Sequence, residues 1–230
     1  MTLHGFGNLL IEGTVMTVAL ALASLAGGLV LGLAGAAARL SESPFARAVG
    51  TAYTTVVRGL PELLVVLVIY YGSAGVLNHL ASAIGHDGYV ELGRFQAGVI
   101  ALSLTFGAYA TEVFRGAFQA IPRGQVEAAV ALGMTPLQAF VRIRLPQVWR
   151  IALPGLGNLF LVLMKDTSLV SVIGLDELMR QASVATGFTK EPFTFYTAAA
   201  LIYLALTLVT GTAQARLEAW AARGIPEAAK

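Results

Sequence analysis

Residues 127–146 read EAAVALGMTPLQAFVRIRLP, and this stretch interrupts a chain of long apolar segments. Its first part is rich in Glu, Ala and Leu, which favour helix, and Gly133 is a frequent helix terminator. A second helix can begin directly after it, because Thr135 is a good N-cap, Pro136 suits the first helical position and Gln138 can complete a capping box. The pattern predicts two short helices joined by a tight turn.

The segments on either side of this stretch are typical of a membrane protein. Of the 230 residues, 57% are hydrophobic and only 12% are Asp, Glu, Lys or Arg, whereas a soluble domain carries about 25% charged residues. Several segments are long enough to cross a bilayer, which takes about 20 apolar residues. They cover residues 11–38, 52–77, 95–118, 153–173 and 195–215. We predict an all-α integral membrane protein with about five spans and one domain, residues 1–230.

The first apolar segment is predicted to remain in the mature protein. No Lys or Arg precedes Arg39, and the segment is longer than the apolar core of a signal peptide. The spacing Gly28-x-x-x-Gly32 within it suits close helix packing in lipid, although Gly-rich apolar segments often contain it by chance.

The distribution of Lys and Arg predicts the orientation. These residues are concentrated after the first and third segments and in the C-terminal tail, and they are sparse elsewhere. The positive-inside rule places the Lys- and Arg-rich parts in the cytosol. The prediction is an N-terminus outside the membrane, a C-terminus in the cytosol and a cytosolic loop over residues 119–150.

The second helix of this loop has an apolar face formed by Met134, Leu137, Phe140 and Val141. Such a helix can lie on lipid headgroups, or it can dock against a partner protein. The residues by themselves leave both alternatives open.

The sequence contains no pattern typical of an enzyme. It has no Cys, its three His are not spaced as metal ligands, and it has no Gly-x-x-x-x-Gly-Lys phosphate-binding loop. We predict no catalytic residue, metal or cofactor in this chain. The net charge of +2 gives no indication of nucleic-acid binding.

The loop resembles the EAA motif of ABC importer permeases. Glu127, Ala128 and Ala129 are followed by Gly133 and then by Ile-x-Leu-Pro at 143–146, with the spacing of that motif. The resemblance implies a type I ABC importer fold in which the loop is a coupling helix, seated in a groove of a separate ATP-binding subunit. The docking residues it implies are Glu127, Ala128, Ala129, Gly133, Met134 and Thr135.

Further stretches resemble the polar amino acid branch of these permeases. They are RGLP at 58–61, AYATEVFRG at 108–116 and KDTSL at 165–169. The acid at Glu62, directly after the proline, is similar to the Q-type subunits of histidine/lysine/arginine/ornithine and opine importers. This branch implies a bacterial inner-membrane subunit importing cationic amino acids, with neutral or acidic amino acids as the alternative.

The same resemblance implies partners. They are an ATP-binding subunit that holds ATP and Mg²⁺, a periplasmic solute-binding protein, and a second permease subunit in a heterodimer rather than a homodimer. An ion-coupled secondary transporter is a competing class, but the chain shows no inverted repeat.

Four ionisable residues fall inside the predicted spans: Arg58, Glu62, Lys165 and Asp166. Such a residue costs about 2.5–3.5 kcal/mol on insertion scales and normally has a partner or faces a cavity. Arg58 and Glu62 are four residues apart and would share one helix face, with Pro61 kinking the span between them. They would form either an internal ion pair or part of a site.

Lys165 and Asp166 would point about 100° apart on a helix, so the KDTSL segment is either a binding element or a structural break. Glu112 and Arg115 are predicted to form a structural intrahelical pair. We hypothesise that Glu62 selects a cationic side chain. The candidate substrate-binding residues are Arg58, Pro61, Glu62, Asn158, Lys165, Asp166, Ser168 and Leu169.

Overall fold

The computed structural model describes residue 3 and residues 5–83 and 91–223, which are almost entirely helical and contain no strand. The α-helices before the first irregular helical segment are α1 (Gly7–Leu40), α2 (Pro44–Arg58), α3 (Glu62–Ala83), α4 (Arg94–Ala120), α5 (Arg123–Ala131) and α6 (Pro136–Ala139). A π-helical segment (Phe140–Arg144) leads into α7 (Leu145–Asp166), followed by a 3₁₀ turn (Thr167–Ile173), α8 (Leu178–Thr189) and α9 (Pro192–Ala221).

Five helical segments in the described part of the chain are long and apolar enough to cross a membrane, which confirms the predicted number of spans. They are Gly7–Leu40, Glu62–His79, Arg94–Ala120, Pro136–Ile173 and Pro192–Ala221. α4 is the central helix, because 67% of its most apolar window is buried inside the protein, against a third or less for the other spans. The other helices pack around it.

The second span begins later than predicted. α2 ends at Arg58, the chain breaks over residues 59–61, and α3 starts at Glu62. Pro61 has no N–H to continue a helix and disfavours helical backbone in the residue before it; its carbonyl instead accepts from the N–H groups of Leu64 and Val65. The predicted span over 52–77 is therefore wrong at its start. The idea that Arg58 and Glu62 share a helix face is also wrong.

The fourth span begins earlier than predicted. The helix that starts at Pro136 continues through the π segment into α7 and ends in the 3₁₀ turn at Ile173. Pro146 removes one helical N–H, and the wider π turn just before it accommodates this loss, with the Leu145 N–H donating to the Phe140 carbonyl. The second helix of the predicted loop, α6, is thus one continuous element with the fourth span, and the predicted boundary between residues 150 and 153 is wrong.

Small residues allow α1 to approach α4 closely. Gly28, Gly32 and Gly35 of α1 are buried. A Cβ added at Gly32 would lie 2.7 Å from the Ala110 Cβ, and one added at Gly35 would overlap Thr111. Contacts this close are possible only between helices with small residues at the interface.

Replacing Gly32 with Leu is expected to destabilise the protein by about 1–3 kcal/mol, because the side chain overpacks the interface between α1 and α4. The matched control is Gly211→Leu on α9, where nothing lies within 4 Å of an added Cβ. Thermal unfolding of the purified protein in detergent measures both variants. Equal melting temperatures for the two would contradict the close packing of α1 on α4.

A buried carboxylate joins α1, α8 and α9. Glu177 is 0% exposed and caps α8, accepting from the N–H groups of Met179 and Arg180 at 2.9 and 2.7 Å. It also accepts from the hydroxyls of Tyr203 at 3.0 Å and Thr17 at 3.5 Å. Burial raises the pKa of Glu177, while these hydrogen bonds act to lower it. Sequence analysis gave this residue no role, because it lies between two predicted spans.

Candidate functional site

A small acidic pocket lies where the start of α3, the middle of α4 and the end of α7 meet. Its volume is about 180 Å³. Glu62 and Asp166 both line it, and the Tyr109 hydroxyl donates to Glu62 Oε1 at 3.5 Å. The remaining lining residues are Thr105, Phe106, Leu159, Val162 and Leu163. Two carboxylates in a largely apolar pocket favour a cationic occupant, since like charges without a counter-charge repel each other there.

The positions of the two carboxylates follow from the local helix ends. Glu62 is the first residue of α3, directly after Pro61, and an acid there is stabilised by the helix dipole. Asp166 is the last residue of α7, directly before the 3₁₀ turn. Both positions therefore place a carboxylate at the pocket, and Glu62 lies at the positive end of its own helix.

Arg58 does not line the acidic pocket, but it lies close to Tyr109, which does. Its Cζ atom is 5.2 Å from the centroid of the Tyr109 ring, within range of a cation–π interaction. No ion pair within 4 Å joins Arg58 to Glu62, both of which the structure describes. Tyr109 contacts both residues, Arg58 through its ring and Glu62 through its hydroxyl.

A second, more polar cavity of about 500 Å³ lies beside Arg58. Tyr109 lines both cavities. The residues around the second cavity are Arg39, Thr51, Thr54, Thr55, Arg58, Gly59, Tyr109 and Glu112. Two arginines and Glu112 line this cavity, whereas two carboxylates line the acidic pocket.

An ion-pair cluster stabilises the wall of this second cavity. Arg115 Nη2 lies 2.8 Å from Glu112 Oε2, which confirms the predicted intrahelical pair. Arg39 on α1 also binds Glu112, at 2.8 Å, and donates to Thr54 Oγ1 on α2 at the same distance. The cluster therefore links α1, α2 and α4. In the sequence, Arg39 is only the first basic residue after the first predicted span.

The other predicted substrate residues lie away from the acidic pocket. Lys165 points to a separate cavity of about 290 Å³ that Ser168 and Tyr203 also line. Ser168 Oγ donates to the Lys165 carbonyl at 2.7 Å, and Asn158 Oδ1 accepts from Gln214 Nε2 on α9 at 3.4 Å. Leu169 sits half-buried in the 3₁₀ turn. The structure brings Glu62 and Asp166 together and separates them from Asn158 and Lys165.

The structure shows the break that one interpretation of the KDTSL segment expects, and a role of the segment in binding stays a prediction. The α-helix does change to a 3₁₀ turn at Thr167, as a structural break requires. Asp166 nevertheless faces the acidic pocket. The change of helix type comes directly after Asp166, and Lys165 lines a different cavity.

The predicted coupling loop, which consists of α5, the turn at Gly133 and α6, has the two helices and the tight turn that its sequence predicts. Gly133 adopts φ +87°, a left-handed conformation that favours glycine, and the Met134 N–H donates to the Ala129 carbonyl at 3.1 Å. The capping box is formed: Gln138 N–H donates to Thr135 Oγ1 at 3.2 Å, and Thr135 N–H donates to Gln138 Oε1 at 3.0 Å.

The outer surface of this loop is apolar and uncovered. Leu132 is 83% exposed and Leu137 is 71% exposed. Of the predicted docking residues, Glu127, Ala128, Gly133 and Thr135 are exposed, Met134 is half-buried and Ala129 is buried within the chain. Exposed large apolar residues on a loop are typical of a surface that binds another molecule.

The fold, the cavities around Tyr109 and the exposed loop define a helical membrane protein with cavities lined by charged residues and an exposed helical hairpin. Residues 27–223 match the family model described as the binding-protein-dependent transport system inner membrane component. The chain belongs to this family. The expected ABC importer permease fold is thereby confirmed.

Curated relatives align with almost the whole chain. The nopaline transport system permease protein NocQ of Agrobacterium fabrum is 46% identical over 222 residues, covering 96% of this chain and 94% of the relative. The arginine ABC transporter permease protein ArtQ of Haemophilus influenzae is 46% identical over 213 residues, covering 93% of each. The histidine/lysine/arginine/ornithine permease HisQ of Salmonella typhimurium is 41% identical over 208 residues, covering 90% of this chain and 91% of the relative.

Solved structures have the same fold. The crystal structure of an amino acid ABC transporter with histidines gives a TM-score of 0.77 at 34% identity, covering 92% of this chain and 93% of that one. An inward-facing methionine transporter, MetNI, also gives a TM-score of 0.77, at 19% identity and with 97% of this chain covered and all of that one. The second likeness concerns the fold alone.

Proposed function

We propose that this chain is the membrane-spanning permease subunit of an ATP-driven importer for amino acids with a cationic side chain, such as arginine, lysine, histidine or ornithine, or for a related opine. The observation that carries the proposal is the shared pocket of Glu62 and Asp166. Relatives named for nopaline, octopine, arginine and histidine transport support this class of solute.

The acidic pocket supplies what a cationic side chain needs when it leaves water. A buried cation is costly unless anionic groups replace its hydration. Glu62 and Asp166 are two such groups, and Tyr109 adds a hydroxyl to the same wall. The carboxylate of the amino acid can interact with Arg58, which lies over the Tyr109 ring. The two cavities that Tyr109 lines form the path of the solute.

The coupling loop supplies the connection to a motor. In the proposal a separate ATP-binding subunit, which holds ATP and Mg²⁺, docks on Glu127, Ala128, Gly133, Met134 and Thr135. Because α6 and α7 are one continuous helical element, movement of the loop reaches Asp166 at the other end of α7. Nucleotide-driven closure can therefore change the acidic pocket directly.

The remaining parts of the assembly follow from the same proposal. A second permease subunit forms a heterodimer with this one, and a periplasmic binding protein delivers the solute. The N-terminus lies outside the bacterial inner membrane and the C-terminus in the cytosol, in agreement with the distribution of Lys and Arg.

Replacing Glu62 with Gln is expected to lower the preference for arginine over glutamine about tenfold, because it removes one of two charges that stabilise the cation; tenfold corresponds to about 1.4 kcal/mol. The measurement is ATP-driven uptake into proteoliposomes that contain the assembled transporter and one unchanged binding protein. The control is Glu12→Gln, an exposed acid on α1. An unchanged preference in the Glu62 variant, with transport intact, would leave a neutral or acidic amino acid as the better candidate.

A further inference from the structure

A third cavity lies beside the coupling loop, away from the acidic pocket. Its volume is about 690 Å³, and it is bounded by the end of α1, the end of α4 and the π segment. Most of its wall is apolar, formed by Leu33, Ala37, Leu40, Phe118, Ile121, Phe140 and Leu145. Gln119, Arg123 and Arg144 supply the polar part. A cavity of this size can hold a ligand as large as a typical cofactor or drug.

The apolar part of this cavity runs along the end of a membrane span. Leu33, Ala37 and Leu40 lie on one face of α1, and Leu40 is its last residue. Opposite them, the rings of Phe118 and Phe140 stack with centroids 6.2 Å apart and an interplanar angle of 11°. The cavity is therefore an apolar groove that begins within the membrane and reaches its edge.

The two arginines lie beside the ends of α1 and α4, where the groove ends. Arg123 is the first residue of α5, just after α4, and Arg144 directly precedes α7. The Arg144 guanidinium lies over the Phe118 ring at 5.3 Å and makes one long hydrogen bond, of 3.4 Å, to the Phe118 carbonyl. Among the described residues, no carboxylate forms an ion pair with either arginine. Most of their N–H donors therefore remain available to an anion.

We propose that this cavity binds an anionic phospholipid. Its acyl chain lies in the groove between α1 and the stacked Phe118 and Phe140 rings, and its phosphate binds between Arg123 and Arg144. Arginine forms bidentate hydrogen bonds with phosphate, and basic pockets between spans at the cytosolic surface are suited to anionic headgroups. The apolar groove suits the acyl chain, and the two arginines at its end suit the phosphate.

The ATP-binding subunit is a weaker candidate for the same cavity. None of the predicted docking residues lies among the residues that line it, and its apolar part runs along α1 at the depth of the membrane. A lipid bound here contacts α1, α4 and the element that joins the coupling loop to α7. It would therefore stabilise the base of the coupling loop.

The test measures lipid binding to the purified, assembled transporter in neutral detergent. Phosphatidylglycerol and phosphatidylcholine with the same acyl chains are added separately, and bound lipid is counted by native mass spectrometry. We expect phosphatidylglycerol to bind and phosphatidylcholine not to. The double variant R123Q/R144Q should lower the affinity for phosphatidylglycerol at least about tenfold. Equal binding of the two lipids, or unchanged affinity in the double variant, would overturn the proposal.

The control R142Q/R150Q removes the same charge from two exposed arginines that do not line the cavity. This control variant should still bind phosphatidylglycerol. An equal loss of binding in both double variants would show that the lipid is held only by nonspecific charge attraction, which would contradict the proposal. Ala37→Trp fills the groove without changing charge and should also lower lipid binding; retention of the lipid by this variant would contradict the placement of the acyl chain.

Two further outcomes separate the lipid from other occupants. Glycerophosphoglycerol and inorganic phosphate, each added at the lipid's concentration, should not displace phosphatidylglycerol, because neither fills the apolar groove. Displacement by either would show a phosphate site without a lipid chain. If R123Q/R144Q loses the ATP-binding subunit on purification but keeps its phosphatidylglycerol, the cavity belongs to that subunit and the lipid proposal is wrong.

Discussion

Replacing Gly133 with Asp is expected to abolish ATP-driven uptake, reducing it at least about 100-fold, and to release the ATP-binding subunit during purification. Two causes act together. Gly133 has φ +87°, where a side chain strains the backbone by about 1–2 kcal/mol. It is also exposed, with no atom of this chain within 4 Å of an added Cβ, so the new carboxylate would point at whatever docks on the loop.

The matched control for this variant is Gly124→Asp. Gly124 lies in α5 of the same loop, is exposed and also has nothing within 4 Å of an added Cβ. It lacks the positive φ, and an acid near the start of a helix is favourable. Uptake should therefore stay close to that of the unchanged protein. If Gly133→Asp keeps both its uptake and its ATP-binding subunit, the loop is not the coupling element.

Neutralising both pocket carboxylates, with Glu62→Gln and Asp166→Asn, is expected to reduce arginine uptake about 100-fold while glutamine uptake changes much less. Each carboxylate contributes about a factor of ten, or 1.4 kcal/mol. The two changes remove charge but keep hydrogen-bonding groups of the same size. Uptake of labelled arginine and glutamine into proteoliposomes, measured with an excess of ATP, gives the two rates.

The comparison for the double variant is Glu12→Gln with Glu42→Gln. Both acids are exposed, and neither lines the acidic pocket. These two substitutions remove the same total charge from the chain as the pocket substitutions do. A general effect of charge on uptake would therefore appear in both double variants. An equal fall of arginine and glutamine uptake in the pocket variant would mean that the pocket is part of the path but does not select the cation.

Local sequence signals predicted the parts of the fold that depend on neighbouring residues. The capping box of Thr135 and Gln138, the turn at Gly133 and the pair of Glu112 and Arg115 all involve residues at most five apart. Their geometry follows from helix periodicity and backbone conformation alone. The five spans were predictable for a similar reason, since hydropathy is a property of a short window.

Two span boundaries could not be predicted, because the competing signals were of similar strength. Apolar residues lie on both sides of Gly59 and Pro61, so the hydropathy stays high across the break between α2 and α3. The sequence alone therefore predicts a kink at the proline within one span. Conversely, the charges at Arg142 and Arg144 suggested a loop, whereas a π turn carries the helix through them into the fourth span.

The composition of the acidic pocket depended on long-range packing. Adjacent residues such as Lys165 and Asp166 point in different directions, but only the placement of α3 and α4 decides which one meets Glu62. Tyr109 was visible only as part of a motif, although a hydroxyl in the middle of a span needs a polar partner. Glu177 was missed because it lies outside the spans, and only the fold brings Thr17 and Tyr203 to it.

The central claim is that Glu62 and Asp166 hold the cationic side chain of the solute. The most direct measurement is a structure of the assembled transporter, with its ATP-binding and second permease subunits, determined in the presence of arginine. We predict that the arginine guanidinium lies within 4 Å of both carboxylates, a distance at which ion pairs form. Arginine bound elsewhere in this subunit, with Glu62 and Asp166 contacting only water or protein, would contradict the account.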